Sequence, residues 1–276
     1  MKDVRTRYGR YAVVTGASAG IGAEFAAQLA ASGFDLALVA RRKDKLEALA
    51  EQVREEHGTT TEVIELDLGR EGAVTELLRR TAHLDVGLVV ASAGIATAGP
   101  FLDTPLADES ALLDLNLSVP MRLSHEYGRQ FRTKGRGGLV LVSSAVAFAA
   151  IPYLANYSAA KAYLANFGQA LRHELKPAGV DVLVLAPGPT ATEGFAGAEG
   201  IDFAKLPMPA MSARRVVRAA LRALGRKPLV IPGFPNRVND FLGKHVTPRR
   251  IQTAMYGTLV RRALRTKGPS ARTAGD

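Results

Sequence analysis

The sequence has no cysteine and no tryptophan, and aromatic residues make up only 6% of its 276 residues. Without cysteine there is no disulfide and no thiolate metal site, and we expect no bound metal. A reducing, cytoplasmic environment fits this composition. The first ten residues contain four basic side chains and no apolar run, so we expect no secretory signal there.

The sequence also offers no convincing membrane span. Residues 137–160 carry no formal charge and are long enough to raise the question. However, a Ser-Ser pair, a proline and a polar Asn-Tyr-Ser interrupt the apolar character of this stretch. We therefore interpret it as a buried strand followed by a loop that lines a pocket.

Acidic residues are scarce in the last quarter of the chain. Residues 203–276 contain 16 Lys and Arg against two Asp and Glu, whereas residues 1–202 contain 20 and 24. The net charge of +10 therefore originates in the C-terminal segment. A basic patch without a recognition motif gives only salt-sensitive binding to phosphates, so we predict no nucleic-acid partner.

Short apolar runs alternate with segments of helical periodicity. The predicted strands are 11–15, 35–40, 61–67, 86–91, 138–143, 180–186 and 228–232, and the predicted helices are 21–31, 43–56, 70–82, 103–133, 156–177 and 212–225. This alternation predicts right-handed βαβ units and an α/β fold with a doubly wound, Rossmann-type parallel sheet. We assign residues 1–235 to this domain and residues 236–276 to a basic amphipathic extension with a disordered tail.

A glycine-rich turn follows the first predicted strand. The segment TGASAGIG spans residues 15–22 and places Gly16, Gly20 and Gly22 between a strand and a helix. Glycines there let the backbone approach a pyrophosphate, which the helix N-terminus then binds. The spacing alone also fits an ordinary turn, and the absence of a GK[ST] sequence argues against a P-loop.

Two arginines end the second strand. A site for NAD would place a carboxylate here to bind the ribose 2′-hydroxyl, whereas Arg41 and Arg42 would pair with a 2′-phosphate. A charge run at the start of a helix is the alternative, but the helix dipole disfavours cations there. We therefore predict NADP(H) as the cofactor.

Tyr157 and Lys161 are four residues apart and share one face of a predicted helix, and Ser144 follows the fifth strand. A nearby ammonium lowers the pKa of a phenol toward neutrality, and the phenol can then exchange a proton with a substrate oxygen. Such a Tyr–Lys pair is common by itself. Together with the glycine turn it indicates an active site.

These segments, with Asp67, ASAG at 91–94, Asn116 and PGPTAT at 187–192, resemble the classical short-chain dehydrogenases/reductases from residue 11 to about 232. The resemblance implies a tetrad in which Tyr157 is the acid/base, Lys161 lowers its pKa and holds the nicotinamide ribose, Ser144 orients the substrate carbonyl, and Asn116 holds a water. It also implies that the cofactor contacts Gly16, Ser18, Gly20, Ile21, Gly22, Arg41, Arg42, Asp67, Ala93, Gly94, Tyr157, Lys161, Pro187, Gly188 and Thr192.

One segment departs from the family pattern. The family has Asn-Asn-Ala-Gly after strand four, and this chain has Ala91-Ser92-Ala93-Gly94. The cofactor contact there is expected to be made by the backbone and to survive, with Ser92 replacing part of the lost hydrogen bonding. The replacement of Asn-Asn by Ala91-Ser92 is expected to affect the stability of the sheet on the side where the adenine of the cofactor would bind.

The segment after the PG motif, about 190–211, contains Phe195, Phe203, Leu206, Met208 and Met211. The resemblance places a mobile substrate lid here, and its apolar residues predict a hydrophobic substrate, although they would also fit simple packing on the core.

The extension has two apolar sets at helical spacing, flanked by arginines. The first set is Val238, Phe241 and Leu242, and the second is Ile251, Met255 and Leu259, after Thr247 as N-cap and Pro248 as the first helical residue. Such a segment can lie on an anionic membrane, receive a partner, or pack on the core with a solvated basic face.

We therefore predict an NADP(H)-dependent oxidoreductase that reduces a carbonyl, or oxidises the corresponding alcohol, of a small hydrophobic molecule. Two alternative functions are a catalytically idle NADP-binding regulator and a membrane-surface or partner-binding adaptor. A nucleotide-sugar epimerase or dehydratase fits the sequence less well, because those relatives usually carry a larger C-terminal substrate domain. By resemblance the chain is a homodimer or homotetramer through helices 103–133 and 156–177, and peripheral membrane contact through the C-terminus stays open.

Overall fold

The computed structural model describes residues 3–192, 201–202 and 210–264. Most of the predicted lid, including Phe195, Phe203, Leu206 and Met208, lies outside these residues, as does the tail from residue 266. The described part confirms the predicted α/β class.

Seven parallel strands form one sheet in the order β3-β2-β1-β4-β5-β6-β9. The strands are β1 Tyr11–Thr15, β2 Asp35–Ala40, β3 Thr61–Glu65, β4 Val86–Ala91, β5 Gly137–Val142, β6 Val180–Leu185 and β9 Leu229–Val230. Two further short strands, β7 Thr190–Ala191 and β8 Met211–Ser212, pair separately. The strand order reverses between β1 and β4, and ligands of such sheets bind outside the carboxyl ends of the strands at this point.

Helices cover both faces of the sheet. They are α1 Asp3–Tyr8, α2 Gly20–Ala30, α3 Lys43–His57, α4 Ala73–Thr81, α5 Leu106–Leu113, α6 Val119–Lys134, α7 Ala155–Leu175, α8 Ala213–Ala223, α9 Phe234–His245 and α10 Arg249–Ala263. One buried cluster lies beneath α2, α3 and α8, and a second lies beneath α4 and α6. Because β1, β2, β4, β5 and β6 are buried along their whole length, their sequences are continuously apolar rather than alternating.

Two predicted helix boundaries were wrong. The helix expected over 103–133 begins only at Leu106, after Pro105, and a π-helical turn at Asp114–Ser118 divides it into α5 and α6. In the extension, α10 begins at Arg249 with Pro248 at the N-cap position, so Thr247 does not cap it.

The charge-free stretch 137–160 forms β5, a 3₁₀ turn at Ala145–Phe148 and the start of α7. Of the helices in the described ranges, none has the length and apolar character needed to cross a membrane.

A buried ionic cluster lies at the amino edge of the sheet, opposite the glycine turn. The Tyr8 hydroxyl donates to Asp181 at 2.9 Å, and the guanidinium groups of Arg7 and Arg172 lie 2.6 and 3.7 Å from the same carboxylate. Burial, and then the charge of Asp181, raise the pKa of Tyr8. The cluster joins α1 to β6 and α7 across 173 residues of sequence.

Replacing Asp181 with Ala should lower the free energy of unfolding by about 3–5 kcal/mol, because Arg172 would then be a buried charge without its counter-ion. Urea unfolding followed by circular dichroism measures this. Asp85→Ala is the matched control, since Asp85 pairs with Lys134 and Arg136 at the surface and should cost about 1 kcal/mol or less. Equal losses in the two variants would contradict the assignment.

Candidate functional site

The glycine turn connects β1 to α2 and is closely packed. Gly16 and Gly20 have φ angles of +67° and +58°, which side-chain-bearing residues rarely adopt. A Cβ on Gly16 would lie 2.9 Å from the backbone of Ala93, and one on Gly22 would lie 2.2 Å from the Gly16 carbonyl oxygen. The turn therefore requires glycine at these places, and it leads directly into the N-terminus of α2, where Ile21 packs on the core.

The PG segment after β6 returns over this turn. The Thr192 side chain lies 3.0 Å from the position that a Cβ on Gly20 would occupy. The Pro187 carbonyl accepts a hydrogen bond from the Ala145 N–H at 2.8 Å, and the Thr190 hydroxyl donates to the Gly188 carbonyl at 2.9 Å. The segment is thus held between the glycine turn and the loop that follows β5.

Positive charge lies beside the glycine turn at the end of β2. The Arg42 guanidinium donates to the Ser18 hydroxyl at 3.2 Å, so it reaches the turn itself. Arg41 lies 4.0 Å from the carboxylate of Asp67, which also accepts from the Gly69 N–H at 3.0 Å. The residues predicted to contact the adenosine end of the cofactor thus lie at the ends of adjacent strands; they are Ser18, Arg41, Arg42 and Asp67.

The segment that departs from the family pattern is held by β1. The Thr15 hydroxyl donates to the Val90 carbonyl at 3.2 Å and accepts from the backbone N–H groups of Ser92 and Ala93 at 3.1 and 3.2 Å. The backbone of Ser92 makes this contact. Thr15, which the sequence prediction did not single out, therefore ties the ends of β1 and β4 together.

The structure brings Tyr157 and Ser144 together. The Ser144 hydroxyl accepts from the Val146 N–H at 3.3 Å. Burial raises the pKa of Tyr157, and the neighbouring Ser144 side chain lowers it in part. With its pKa raised above the ordinary value, the phenol is protonated at neutral pH.

Lys161 stands one helical turn beyond Tyr157 on α7. Its ammonium lies 5.6 Å from the centre of the Tyr157 ring and donates to the Val142 carbonyl at 3.1 Å. The residue is only 6% exposed, and burial lowers the pKa of its ammonium to about 8. The Ser143 hydroxyl donates to the Lys161 carbonyl at 2.7 Å and fixes α7 against β5.

Asn116 is fully buried in the π-helical turn. Its amide donates to the Ile95 carbonyl at 2.6 Å, and its side-chain oxygen accepts from the Ile95 N–H at 3.0 Å. A Cβ on Gly94 would lie 2.5 Å from that oxygen and 3.5 Å from the Lys161 ammonium. Asn116 therefore orders the loop after β4 beside Lys161, and its role in holding a water stays a prediction.

Sequence reasoning missed a contact that positions Tyr157. The Asn156 amide donates to both the carboxylate and the carbonyl of Glu109 on α5, at 2.7 and 3.0 Å. Glu109 is only 6% exposed and Asn156 is half-buried, so the link is partly shielded from solvent. The signal available was the polar Asn156 immediately before the tyrosine in an otherwise apolar stretch, but its partner is 47 residues away.

Asn236, at the start of α9, was also missed. A Cβ on Gly188 would lie 2.5 Å from its amide nitrogen, which donates to the Pro232 carbonyl at 2.8 Å. The extension therefore contacts the PG segment from its first turn.

A separate apolar cluster lies beside the tetrad. Ile151, Leu154 and Ile201 pack with Val260 and Ala263 of α10. Tyr153, in the same loop, has a φ angle of +68°, an unusual conformation for a residue with a side chain, and its carbonyl accepts from the Gly99 N–H at 2.9 Å. All five residues of the cluster are buried, so the cluster fixes α10 against the loop that leads into α7.

The glycine turn has no room for side chains and lies beside two arginines. It therefore fits a phosphorylated dinucleotide. Gly16, Gly20 and Gly22 would hold its pyrophosphate, and Ser18, Arg41 and Arg42 would hold a 2′-phosphate. Tyr157, Lys161, Gly188 and Thr192 would surround its nicotinamide end.

Comparisons with known proteins agree with this geometry. The family model described as short chain dehydrogenase matches residues 10–199. The chain is 30% identical over 257 residues to a 7β-hydroxysteroid dehydrogenase of Collinsella aerofaciens, covering 91% of this chain and 97% of that protein. A solved structure from work on 7β-hydroxysteroid dehydrogenase stereoselectivity superposes with a TM-score of 0.84 at 28% identity, covering 92% of this chain and 98% of that one. A short-chain dehydrogenase from Sphingobium yanoikuyae in complex with NADPH gives a TM-score of 0.76 at 33% identity, covering 85% and 93%.

Proposed function

The chain belongs to the short-chain dehydrogenase family and is an oxidoreductase of CH–OH and C=O groups, and from this premise we propose that it uses NADP(H) to interconvert a ketone and an alcohol on a bulky hydrophobic molecule. The observation that carries the proposal is the buried ammonium of Lys161 5.6 Å from the centre of the Tyr157 ring, with Ser144 near enough to lower the pKa of that phenol. A regulatory protein that only binds the dinucleotide would not need the side chains of Ser144, Tyr157 and Lys161 next to one another.

In the reductive direction Tyr157 donates its phenolic proton to the substrate oxygen, and Ser144 donates a hydrogen bond that orients the same oxygen. Bound NADP(H) supplies the hydride, or accepts it in the oxidative direction. Lys161 is protonated below a pKa of about 8, and its charge favours the phenolate that remains on Tyr157. The hydrogen bond between Asn156 and Glu109 holds the start of α7 and thereby the phenol in place.

The choice of NADP(H) over NAD(H) rests on the cations at the end of β2. Arg42 contacts Ser18 of the glycine turn, and Arg41 is largely exposed, with its nearest carboxylate 4.0 Å away. A 2′-phosphate between these groups would receive charge-assisted hydrogen bonds.

NADPH should therefore bind more tightly than NADH, and Arg41→Asp should weaken NADPH binding by roughly 10- to 100-fold while leaving NADH binding nearly unchanged. The size follows from the ~1.5–3 kcal/mol of a hydrogen bond to a charged group. Titrations of both cofactors by fluorescence measure the two constants.

The matched control is Arg215→Asp, an equal charge change on the exposed face of α8. It should leave both constants unchanged. Equal affinity of the unmodified protein for the two cofactors would refute the NADP(H) assignment.

For the substrate, a large apolar molecule is supported by the relative from Collinsella aerofaciens, which is a hydroxysteroid dehydrogenase. We extend this to hydroxysteroids and comparably bulky ketones as the substrate class. A panel of such ketones and alcohols, followed by NADPH absorbance, tests it. Tight NADPH binding without turnover of any panel member would favour the idle regulator.

The proposal includes a cytoplasmic location and self-association. Self-association would use the helices of segments 103–133 and 156–177, whereas peripheral membrane contact would use the extension from residue 236 onward.

A further inference from the structure

The two helices that follow β9 form one antiparallel unit. The Asn239 amide of α9 donates to the Tyr256 hydroxyl of α10 at 2.9 Å, and a Cβ on Gly243 would collide with the Gln252 amide. Residues later in α9 thus contact residues earlier in α10, so the two helices run in opposite directions. We call residues 234–263, which form α9 and α10, the C-terminal hairpin.

One side of the hairpin lies on the core. In α9, Asn236 contacts the PG segment, and Asp240 shares its helix face four residues later, with one carboxylate oxygen buried. In α10, Val260 and Ala263 are buried against the loop that leads into α7. Asp240 is the only acidic residue of the hairpin sequence, so the hairpin turns its one negative charge toward the core.

The other side of the hairpin is apolar and exposed. Helical spacing places its apolar residues on the far side of the contact between Asn239 and Tyr256 from the residues that face the core. Because the two helices are antiparallel, their apolar faces form one surface, which we call the outer face. It consists of Phe234, Val238, Phe241 and Leu242 of α9 and Ile251 and Met255 of α10, which are 37–71% exposed. An exposed apolar surface of this kind marks a site of contact with a partner or a membrane.

Positive charge surrounds the outer face. The hairpin sequence contains six Lys and Arg against one acidic residue. At the edge of α9, the Arg237 guanidinium lies 5.9 Å from the centre of the Phe234 ring. Arg250 and Arg261 share the opposite edge along α10, and Arg262 lies within the outer face by helical spacing. All four arginines are exposed, and among the described residues none of them pairs with a carboxylate.

We propose that the outer face of the C-terminal hairpin binds peripherally to an anionic lipid membrane. Helices with one apolar and one basic face lie in the plane of the membrane interface, with their apolar side chains at the boundary of the acyl chains. The six apolar residues of the outer face enter the lipid in this arrangement, and the arginines around it meet the anionic headgroups. This assignment goes beyond the proposed function and does not depend on it.

A second copy of the chain fits the outer face less well. If the outer faces of two chains met, the arginines of both would be brought together, and like charges at a contact oppose association. Asp240 faces the core and cannot neutralise them. An anionic membrane supplies both the apolar phase and the opposite charge.

The first measurement uses a tryptophan placed on the outer face. Because the chain has no tryptophan, Phe241→Trp gives the full-length protein a single one. With vesicles of phosphatidylcholine and phosphatidylserine, its emission should move to shorter wavelength and should be quenched by lipids brominated in their acyl chains. Vesicles of phosphatidylcholine alone should cause neither change, and added salt should weaken both.

His83→Trp is the matched control for this measurement. His83 is exposed before β4, at the amino edge of the sheet, whereas the hairpin contacts loops at the carboxyl edge. The emission of this tryptophan should not change with either kind of vesicle.

The second measurement compares how variants sediment with vesicles that contain phosphatidylserine. Arg237→Gln/Arg262→Gln should lower the partition coefficient roughly 10- to 30-fold. Phe241→Gln/Ile251→Gln should lower it at least ~10-fold, because two apolar side chains no longer enter the lipid. Arg222→Gln/Arg226→Gln removes the same charge near the end of α8, where Gly225 lies against Arg7 at the amino edge, and should leave it nearly unchanged.

Unchanged circular dichroism verifies that the variants fold. Equal losses in the two arginine pairs, an unshifted Phe241→Trp emission with phosphatidylserine vesicles at low salt, or equal binding to phosphatidylcholine alone would each overturn the proposal. Oligomers that dissociate in Phe241→Gln/Ile251→Gln, without vesicle binding, would assign the outer face to a second copy instead. None of these measurements uses turnover, so failure of the proposed function and failure of this proposal are distinguishable.

Discussion

Tyr157→Phe should lower turnover by about 10²–10⁴-fold, the range that general acid–base catalysis contributes. The variant keeps the aromatic ring and removes only the hydroxyl beside Ser144. In the absence of that hydroxyl, the developing alkoxide of the substrate has no positioned proton donor. Steady-state kinetics with an accepted ketone, together with an NADPH titration, measure the loss and should show cofactor binding nearly unchanged.

Tyr163→Phe is the matched control, because it removes a phenol from the same helix and keeps the ring that stacks on Phe167 at 5.5 Å. It should retain normal turnover. Ser144→Ala provides an independent check on the pKa of Tyr157. Loss of the Ser144 hydroxyl should raise that pKa and move the corresponding limb of the pH–rate profile to higher pH. Full activity of Tyr157→Phe would remove the tyrosine from the mechanism.

Lys161→Met should have opposite effects on activity and on stability. Turnover and NADPH affinity should both fall, because the ammonium is assigned to the phenolate and to the nicotinamide ribose. At pH 7 the free energy of unfolding should rise by about 1–3 kcal/mol, because a buried charge is replaced by an apolar chain of similar length and each unit of pKa shift corresponds to ~1.4 kcal/mol. Urea unfolding at a series of pH values measures this.

The pH dependence fixes the sign of the effect. The ammonium of Lys161 has a pKa of about 8 in the folded protein against 10.5 in a solvated chain. Between these values the unfolded chain holds more protons, so the unmodified protein gains stability as pH rises through this window. The difference between Lys161→Met and the unmodified protein should therefore be largest below pH 8 and shrink toward pH 10.5. Lys176→Met changes an exposed lysine after α7 and should show no such trend. If Lys161→Met were less stable than the unmodified protein at pH 7, Lys161 would not be a destabilising buried charge.

The sheet could be predicted from the sequence because burial on both faces makes its strands continuously apolar. All seven predicted strands are present within a few residues of their expected bounds. The site residues that follow these strands could be located for the same reason, since the carboxyl ends of parallel strands meet at one edge. What each of these residues does in the reaction remains a prediction.

Features that depend on distant or inserted residues could not be predicted. The π-helical turn at Asp114–Ser118 adds one residue to a helical repeat, and the apolar periodicity of the segment does not reveal it. The partner of Asn156 is 47 residues away, and that of Tyr8 is 173 residues away. Asp181, the second residue of the otherwise apolar β6, was the one visible sign of the second contact.

The orientation of α9 and α10 could not be predicted from the sequence either. Periodicity indicates which residues share a helix face, but it does not say which face meets the core. In α10, Val260 and Ala263 are buried, whereas Ile251 and Met255, which gave the clearer pattern, are exposed.

The ionic cluster of Tyr8, Asp181 and Arg172 bears on how the enzyme can be engineered. It lies at the amino edge of the sheet, whereas the predicted site residues lie at the carboxyl edge, in the loops after the strands, in the π-helical turn and in the first turns of α2 and α7. A library directed at α1 and the starts of the strands can therefore search for thermostable forms without altering catalysis. A library directed at the opposite edge trades one property for the other, because groups such as Lys161 are retained there at the expense of robustness.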